Sequence, residues 1–354
     1  MADFVGVKDI FVKDESYRFG LNAFKVLGGS YSMAKYAASL TGRAIEEMDY
    51  NTFISEDFHK ELGEITFFTA TDGNHGRGVA WAAKRLGQKA VVFMPKGTTQ
   101  MRLDRIAAEG ATVTIEELNY DDCVRKAVTE SEKISPSVVV QDTAWDGYEE
   151  IPTWIMQGYG TMASEAAEQL EEAKAVPTHI FVQAGVGSLA GAVVGFFVNY
   201  YKDAPVKPKL IVVEAQAADC LYKGAVAGDG KPRIVGGDLN TIMAGLACGE
   251  PNTISWEILR SYVTAFISAP DWVTELGMRM NGAPLKGDPQ VISGESGAVP
   301  FGAFATIMLN EEYGELKELL QLNKDSVVLC FSTEGDTDEQ RYKEILWEGK
   351  NFNL

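Results

Sequence analysis

Short runs of apolar, β-branched and aromatic residues alternate with segments of helical spacing along most of the chain. I-T-F-F-T-A-T (Ile65 to Thr71) reads as a strand, followed by a glycine turn and a helix across Arg77 to Leu86. K-A-V-V-F-M-P (Lys89 to Pro95) is a strand closed by its proline, with a helix from Thr98 to Glu109 behind it. A-T-V-T-I (Ala111 to Ile115) is the next strand; Asp121 or Asp122 can then cap a helix reaching Ile134. S-V-V-V-Q (Ser137 to Gln141) is a strand, and helical spacing covers Trp154 to Ala173. H-I-F-V-Q-A (His179 to Ala184), K-L-I-V-V-E-A (Lys209 to Ala215) and S-V-V-L-C-F-S (Ser326 to Ser332) complete the strands. Near-continuous apolar strands separated by helices predict an α/β fold with parallel sheets covered on both faces. The charged run Glu165 to Lys174, ending at V-P-T-H (Val176 to His179), marks the best domain boundary, and a second crossing is expected near 36–64.

At 354 residues the chain is long enough for about two domains of ordinary core. With 32 basic and 50 acidic residues the formal charge is −18, a surface that repels phosphate backbones and anionic lipid heads. Nucleic-acid and membrane-surface roles are therefore not expected. The longest uncharged stretch, Ile180 to Tyr201, contains Gln183, Ser188, Asn199 and four glycines and reads as strand, turn and buried helix rather than a membrane span. The first residues have no apolar core or cleavage site, so they do not read as a signal peptide. Cys123, Cys220, Cys248 and Cys330 lack C-x-x-C spacing, which points to reduced thiols in a cytoplasmic compartment and away from zinc. His59, His75 and His179 are too few and scattered for a metal centre, and no metal is expected.

Three segments carry candidate chemistry. In D-E-S-Y-R-F-G-L-N-A-F-K-V-L-G-G-S (Asp14 to Ser30), Lys25 lies between Phe24 and Val26-Leu27 at the start of a helical pattern. An ammonium among apolar groups has its pKa lowered, which makes the neutral amine that a Schiff-base lysine needs. Taken alone, a lysine snorkelling off a helix is the ordinary reading. In T-A-T-D-G-N-H-G-R-G-V-A (Thr69 to Ala80), a strand end meets a helix start whose amides suit an anion. Asn74 can donate there and Asp72 places a carboxylate at its mouth; a simple turn capped by Asn74 fits equally well. In Q-A-G-V-G-S-L-A-G-A (Gln183 to Ala192) the backbone at Gly185 and Gly187 can wrap a phosphate, with Ser188 as a donor. The spacing is G-x-G-x-x-x-G, with Ala190 where a dinucleotide fingerprint needs glycine, so a compact monophosphate fits better than a dinucleotide and a nicotinamide dehydrogenase is disfavoured.

Taken in order, Asn-Ala-Phe-Lys25, the Thr71 to Gly76 loop and the Gly185 to Ser188 loop resemble the fold-type-II pyridoxal-phosphate enzymes. K-D-E-S-x-R-F-G-L-N-A-F-K, T-D-G-N-H-G-R-G-V-A-W-A-A, V-Q-D-T-A-W-D-G-Y (Val140 to Tyr148) and S-G-E-S-G-A (Ser293 to Ala298) resemble the diaminopropionate ammonia-lyases in particular, from about Val7 nearly to the end. The resemblance implies two three-layer domains of tryptophan synthase β-like architecture. Residues 1–36 with 177–354 would form the large cofactor-binding domain and 37–176 the small one, with the active site in the cleft. It implies that Lys25 holds pyridoxal 5′-phosphate covalently, with Phe24 packed near its ring and Asn74 on its 3′-oxygen. Gly185, Val186, Gly187, Ser188 and Leu189 would cradle the phosphate, and Ser332 or Thr333 would face the pyridine nitrogen. Thr71, Asp72, Gly73, His75 and Asp142 would bind substrate, with Lys25, Asp72 and Asp142 as the catalytic groups. Asp72 replaces the small residue found in dehydratases, and Asp142 would be the second acid near a diamino substrate. The implied activity is α,β-elimination of D- or L-2,3-diaminopropionate to pyruvate and two ammonia, in a cytoplasmic homodimer. A serine/threonine dehydratase and a non-catalytic protein of the same fold are the alternatives. Family members usually have several tens of residues before the strand matched here by Gly6 to Val12, a piece that packs near the dimer interface, so the departure bears on stability and dimerisation. Glu334, Asp336 and Asp338 read as loop solvation, with Asp336 able to reach the site, and Glu295 as either a loop hydrogen-bonder or a cofactor-side residue.

Overall fold

The computed structural model describes residues 1–349. Nine strands run in chain order: β1 (Asp9–Asp14), β2 (Thr66–Ala70), β3 (Lys89–Met94), β4 (Thr112–Ile115), β5 (Ser137–Val139), β6 (His179–Gln183), β7 (Lys209–Ala215), β8 (Ala265–Ala269) and β9 (Val327–Ser332). They form a five-stranded sheet, β1-β9-β6-β7-β8, and a four-stranded sheet, β4-β3-β2-β5. Every pairing is parallel. The chain separates into two compact units, one of residues 1–23 with 160–354 and one of 24–159. The crossings come earlier along the chain than the expected 36 and 176. The second falls inside the helix Glu150–Glu172, so no loop composition marks it. The first falls just before Lys25, which therefore belongs to the unit of the four-stranded sheet.

In the larger unit the central strands β6 and β9 are buried along their whole length, while β1 and β8 at the edges are half-buried. Phe181, Ile211, Val213 and Val328 face a core that the helix Val299–Leu309 completes. That helix, V-P-F-G-A-F-A-T-I-M-L, is apolar on nearly every face and buried on all of them. The first strand, expected from Gly6, begins at Asp9, where pairing with β9 starts in the register Asp9 to Val327. β8 was not among the expected strands. Four half-buried residues, Ser268 among them, and one buried alanine make a weak pattern, and pairing with β7 is what defines them as a strand.

In the smaller unit, Phe67 and Phe68 of β2 and Val92 of β3 are buried at the centre. The helix expected to start at Asp121 or Asp122 is instead Tyr120–Ser131. Asn119 caps it, accepting a hydrogen bond from the Asp122 amide at 2.8 Å. Asp121 and Asp122 then fill the first turn, where the helix dipole favours acidic groups. β5 stops at Val139, two residues before the expected end, because the Gln141 amide donates to the Tyr148 hydroxyl at 2.9 Å rather than to the sheet. That departure turns Asp142 away from the ladder.

Among the described residues no helix is long and apolar enough to cross a membrane.

Candidate active site

The predicted residues fall into two groups, one on each unit. On the smaller unit, Lys25 directly precedes the helix Val26–Leu40, and its side chain is 18% exposed. Gly78 of the helix Asn74–Arg85 explains how the T-D-G-N-H loop comes to lie beside it. A Cβ on Gly78 would stand 2.9 Å from the Val26 Cα and 3.3 Å from the Lys25 carbonyl carbon. Only a glycine lets the two backbones approach that closely. Phe24 is buried against Tyr159, ring centroids 4.7 Å apart, and the Lys25 ammonium lies 5.6 Å from the Phe24 ring centre.

Lys25 Nζ donates a short hydrogen bond to Asp142 Oδ2, whose side chain is only 4% exposed. Burial pulls the lysine pKa down, but the Asp142 carboxylate, helped by Tyr159 and Asp72, outweighs burial and holds the ammonium above the ordinary lysine value. The expectation of a lysine made neutral by apolar neighbours is thus corrected: the apolar neighbours are present, but a carboxylate 117 positions later decides the balance. Burial likewise pushes the Asp142 carboxyl up. Lys25, His75 and the Lys25 and Tyr120 hydrogen bonds overcome this and hold it well below the carboxylate range.

Around Asp142 stands a buried polar network that sequence spacing does not suggest. Tyr120 Oη donates to Asp142 Oδ1 at 3.2 Å, and Gln141 Nε2 donates to Tyr120 Oη at 2.7 Å. Gln141 Oε1 accepts from the Thr69 hydroxyl and the Ala70 amide, at 3.0 and 2.9 Å. His75 Nε2 lies 2.8 Å from the Val140 carbonyl. Tyr120 missed notice because it sits beside the helix cap, and Gln141 because it reads as the last residue of a strand.

The rest of the loop is held by its own atoms. Thr71 Oγ1 accepts from the Gly73 and Gly76 amides at 2.9 and 3.0 Å, so this hydroxyl shapes the turn. Gly73 takes the cap position, and Asn74, half-buried, is the first residue of the helix rather than its cap. Asp72 Oδ2 is 3.6 Å from Arg102 Nη1, which also donates to the Asp72 carbonyl at 3.3 Å. Arg102, a partner the sequence reading did not name, offsets the Asp72 charge.

On the larger unit, Gly187 adopts φ 105°, a left-handed conformation that suits glycine, at the start of the helix Ser188–Tyr200. This helix end has no side-chain cap hydrogen bond and no acidic residue in its first turn. A Cβ on Gly185 would meet the Gly245 carbonyl oxygen at 3.0 Å. Asn252, also unforeseen, clamps the loop: its amide donates to the Val186 carbonyl at 2.7 Å and its side chain to Ser188 Oγ at 2.8 Å. Leu189 is buried behind it. Ser332 and Thr333 are both buried at the end of β9. The Ser332 hydroxyl pairs with Ser293 at 2.7 Å, whereas Thr333 Oγ1 accepts from Gln183 Nε2 at 2.5 Å and keeps its own proton to donate. Of the two, Thr333 is the better donor to a ring nitrogen.

The K-D-E-S-x-R block is an ion-pair network. Buried Glu15 accepts from Arg18 at 2.8 Å, and Glu165 binds Lys13 at 2.8 Å and Arg18 Nη1 at 2.9 Å. The acidic residues after β9 are not a solvated loop. Glu334 is buried and accepts from the Ser296 amide at 2.9 Å, and Asp338 caps the helix Glu339–Leu346. Asp336 accepts from Asn22 Nδ2 at 3.0 Å. Glu295 is buried with Arg341 Nε 4.0 Å from its carboxylate. Cys123, Cys220, Cys248 and Cys330 are all free and buried. Among the described residues no cluster of three or more His, Cys, Asp or Glu could hold a metal.

A model of the pyridoxal-phosphate dependent enzymes matches residues 1–332. Diaminopropionate ammonia-lyase of Escherichia coli K12 is 52% identical over 352 residues, covering 99% of this chain and 86% of the relative. This chain belongs to that family. The holo crystal structure of the E. coli enzyme superposes with a TM-score of 0.91 at 50% identity, covering 99% of this chain and 86% of that one. A second structure of it, described as a complex with an aminoacrylate-PLP azomethine reaction intermediate, gives 0.88, covering 99% and 85%. The family's fold is the fold-type-II architecture of pyridoxal-phosphate enzymes, as the two parallel sheets indicate.

The residues present fit pyridoxal phosphate. The uncapped helix start at Ser188 offers amides to a phosphate dianion, and Gly185, where a Cβ would meet the Gly245 carbonyl oxygen, lets the neighbouring segment close against the turn. Thr333 keeps a hydroxyl proton, and Gln183 Oε1 beside it is buried with no hydrogen-bond partner.

Proposed function

We propose that this chain is a pyridoxal-phosphate-dependent carbon–nitrogen lyase that converts 2,3-diaminopropionate, D or L, to pyruvate and two ammonia by α,β-elimination. The observation that carries the reading is the pairing of half-buried Lys25 with buried Asp142 beside the Asp72 loop, in a chain half identical to diaminopropionate ammonia-lyase. Lys25 would bind the cofactor aldehyde, Gly185 to Leu189 its phosphate, Thr333 or Ser332 its ring nitrogen and Asn74 its 3′-oxygen. When bound, the cofactor supplies an electron sink that acidifies the substrate Cα proton.

The chain's own groups do the remainder. Lys25 Nζ, once neutral, takes the Cα proton from one face and Asp72 takes it from the other. Asp142, held as a carboxylate, accepts hydrogen bonds from a β-ammonium, which departs as ammonia with its proton already in place. A hydroxyl leaving group needs a proton, and an ionised Asp142 has none to give. The carboxylate state of Asp142 therefore favours a diamino acid over serine or threonine. We further propose that the chain works as a cytoplasmic homodimer.

The test is a visible spectrum of the purified protein, followed by pyruvate release from D- and L-2,3-diaminopropionate, serine and threonine. A coloured protein active on either diamino acid and weakly on the hydroxy acids supports the reading. Activity confined to the hydroxy acids makes it a dehydratase, and no cofactor uptake at all overturns both. Asp72→Asn is expected to lower turnover of the D isomer by ~10²-fold or more while sparing the L isomer. Equal turnover of both isomers by that variant would remove Asp72 from the mechanism.

A further inference from the structure

The lyase reading needs Lys25 as a free amine, yet Lys25 is an ammonium hydrogen-bonded to Asp142 in a buried setting. Its surplus proton needs an acceptor nearby. Tyr120 donates to Asp142 Oδ1 at 3.2 Å, and Gln141 Nε2 approaches the same oxygen at 3.5 Å. The Tyr148 hydroxyl donates to the Val139 carbonyl at 2.8 Å, and burial keeps the Tyr159 phenol protonated. Asp72 lies against Arg102.

His75 is different. Its Nε2 faces the Val140 carbonyl at 2.8 Å, and a carbonyl only accepts, so Nε2 carries the ring proton and Nδ1 keeps its lone pair. Nδ1 is buried and has no hydrogen-bond partner. It stands 4.0 Å from Asp142 Oδ2, the oxygen that accepts from Lys25. Burial, with Lys25 nearby, keeps the resting imidazole neutral. A buried basic nitrogen without a donor costs stability, so its presence calls for an explanation.

We propose that His75 stores, at Nδ1, the proton that Lys25 releases through Asp142. One N–H bond of Lys25 breaks and leaves its electron pair on nitrogen. The proton passes to Asp142 Oδ2 and on to His75 Nδ1. The end state is a neutral amine, a carboxylate and an imidazolium whose two N–H groups point at Asp142 and Val140. Total charge is conserved; the transfer runs uphill against the resting proton affinities of Lys25 and His75 and is drawn forward as the freed amine is captured by the cofactor. The 4.0 Å gap is longer than a hydrogen bond, so the Asp142 carboxyl rotates toward His75 during the transfer. His75 acts through Asp142 and is a positioning residue rather than a catalytic one. The inference rests on the lyase reading for the requirement that Lys25 be freed.

His75→Gln separates the store from a structural role. Glutamine can keep the hydrogen bond to the Val140 carbonyl but has no basic nitrogen. Cofactor capture by the cofactor-free protein is followed by borohydride trapping and mass analysis at Lys25, and turnover is measured separately. The variant is expected to capture pyridoxal phosphate ~10²-fold more slowly and to lower kcat with KM unchanged. Nitrogen NMR of ¹⁵N-histidine protein, which carries only three histidines, is expected to show His75 with Nδ1 unprotonated at rest. Capture by His75→Gln at the wild-type rate, or a resting proton on Nδ1, overturns the proposal. Should His75→Gln fail to fold, the solvent-deuterium dependence of capture by the wild type decides, a bowed two-proton curve supporting the store and a flat or straight one overturning it. A wild type that captures no cofactor at Lys25 overturns the lyase reading and this one with it, and is told apart because no variant is involved.

Discussion

Lys25→Ala is expected to reduce turnover of diaminopropionate by at least ~10³-fold, because on the proposed assignment it removes both the group that would hold the cofactor covalently and a proton acceptor at the reacting carbon. The loss should fall almost wholly on kcat if the proposed non-covalent contacts of the cofactor remain. Borohydride reduction of the holoprotein followed by peptide mass analysis checks the assignment: the wild type should carry the reduced cofactor on Lys25, and Lys25→Ala on no lysine. Label on a different lysine in the wild type would refute the site. Lys25→Ala also leaves Asp142 as a buried anion without its counter-ion, so burial regains control and its carboxyl pKa should climb. Circular dichroism melts of this variant should therefore show a stability loss that eases as the pH is lowered and the carboxyl becomes neutral.

The second large effect is on folding. Asp142→Asn should destabilise the cofactor-free protein by about 3–5 kcal/mol, because breaking a buried ion pair strands the remaining charge. With the carboxylate gone, burial becomes the leading influence on Lys25, and its pKa should drop below the ordinary lysine value. The double variant Lys25→Met with Asp142→Leu should recover much of the lost stability, since an apolar pair of similar volume avoids the desolvation cost of both charges. Denaturant melts of the three variants test this, and additive single losses in the double variant would argue against the pair. The sign of the pH dependence follows from the two shifts. Asp142 is lowered, so its contribution is complete above the unfolded carboxylate pKa and fades only as pH falls through a folded value below that range. Lys25 is raised, so its contribution is complete below the unfolded lysine pKa of about 10.4 and is lost only as pH climbs through a higher folded value. Between those limits the wild-type pair contributes a constant amount, whereas in Asp142→Asn the lowered Lys25 should make the stability loss largest at low pH and ease as pH rises toward the unfolded lysine value.

Much of the site lay open to inspection as local sequence. A glycine-rich turn between a strand and a helix prepares an anion site wherever it occurs, because the backbone amides that bind belong to the turn itself. That is why the sequence marks the segments at Gly185 to Ser188 and Thr71 to Gly73 as turns between a strand and a helix, which is what the structure shows there. The alternation of apolar runs and helical spacing likewise led to parallel α/β sheets, since a strand covered on both faces must be apolar on both. Less local elements were harder to read. β8 owes its identity to β7, and the cap at Asn119 is chosen over Asp121 and Asp122 by where Tyr120 must bury its ring.

The sequence by itself determined most of the order of strands and helices, the candidate lysine, both glycine turns and the acidic residues near them. Each of these is set by neighbours a few positions apart. Tertiary structure alone decided the charge states. Whether Lys25 is an amine or an ammonium depends on Asp142, 117 positions away, and on the buried Tyr120, Gln141 and His75 around it. Arg102 tempers Asp72 in the same way from a separate helix. Electrostatic interaction falls with distance in space and is strengthened by burial, and neither quantity can be read from spacing along the chain.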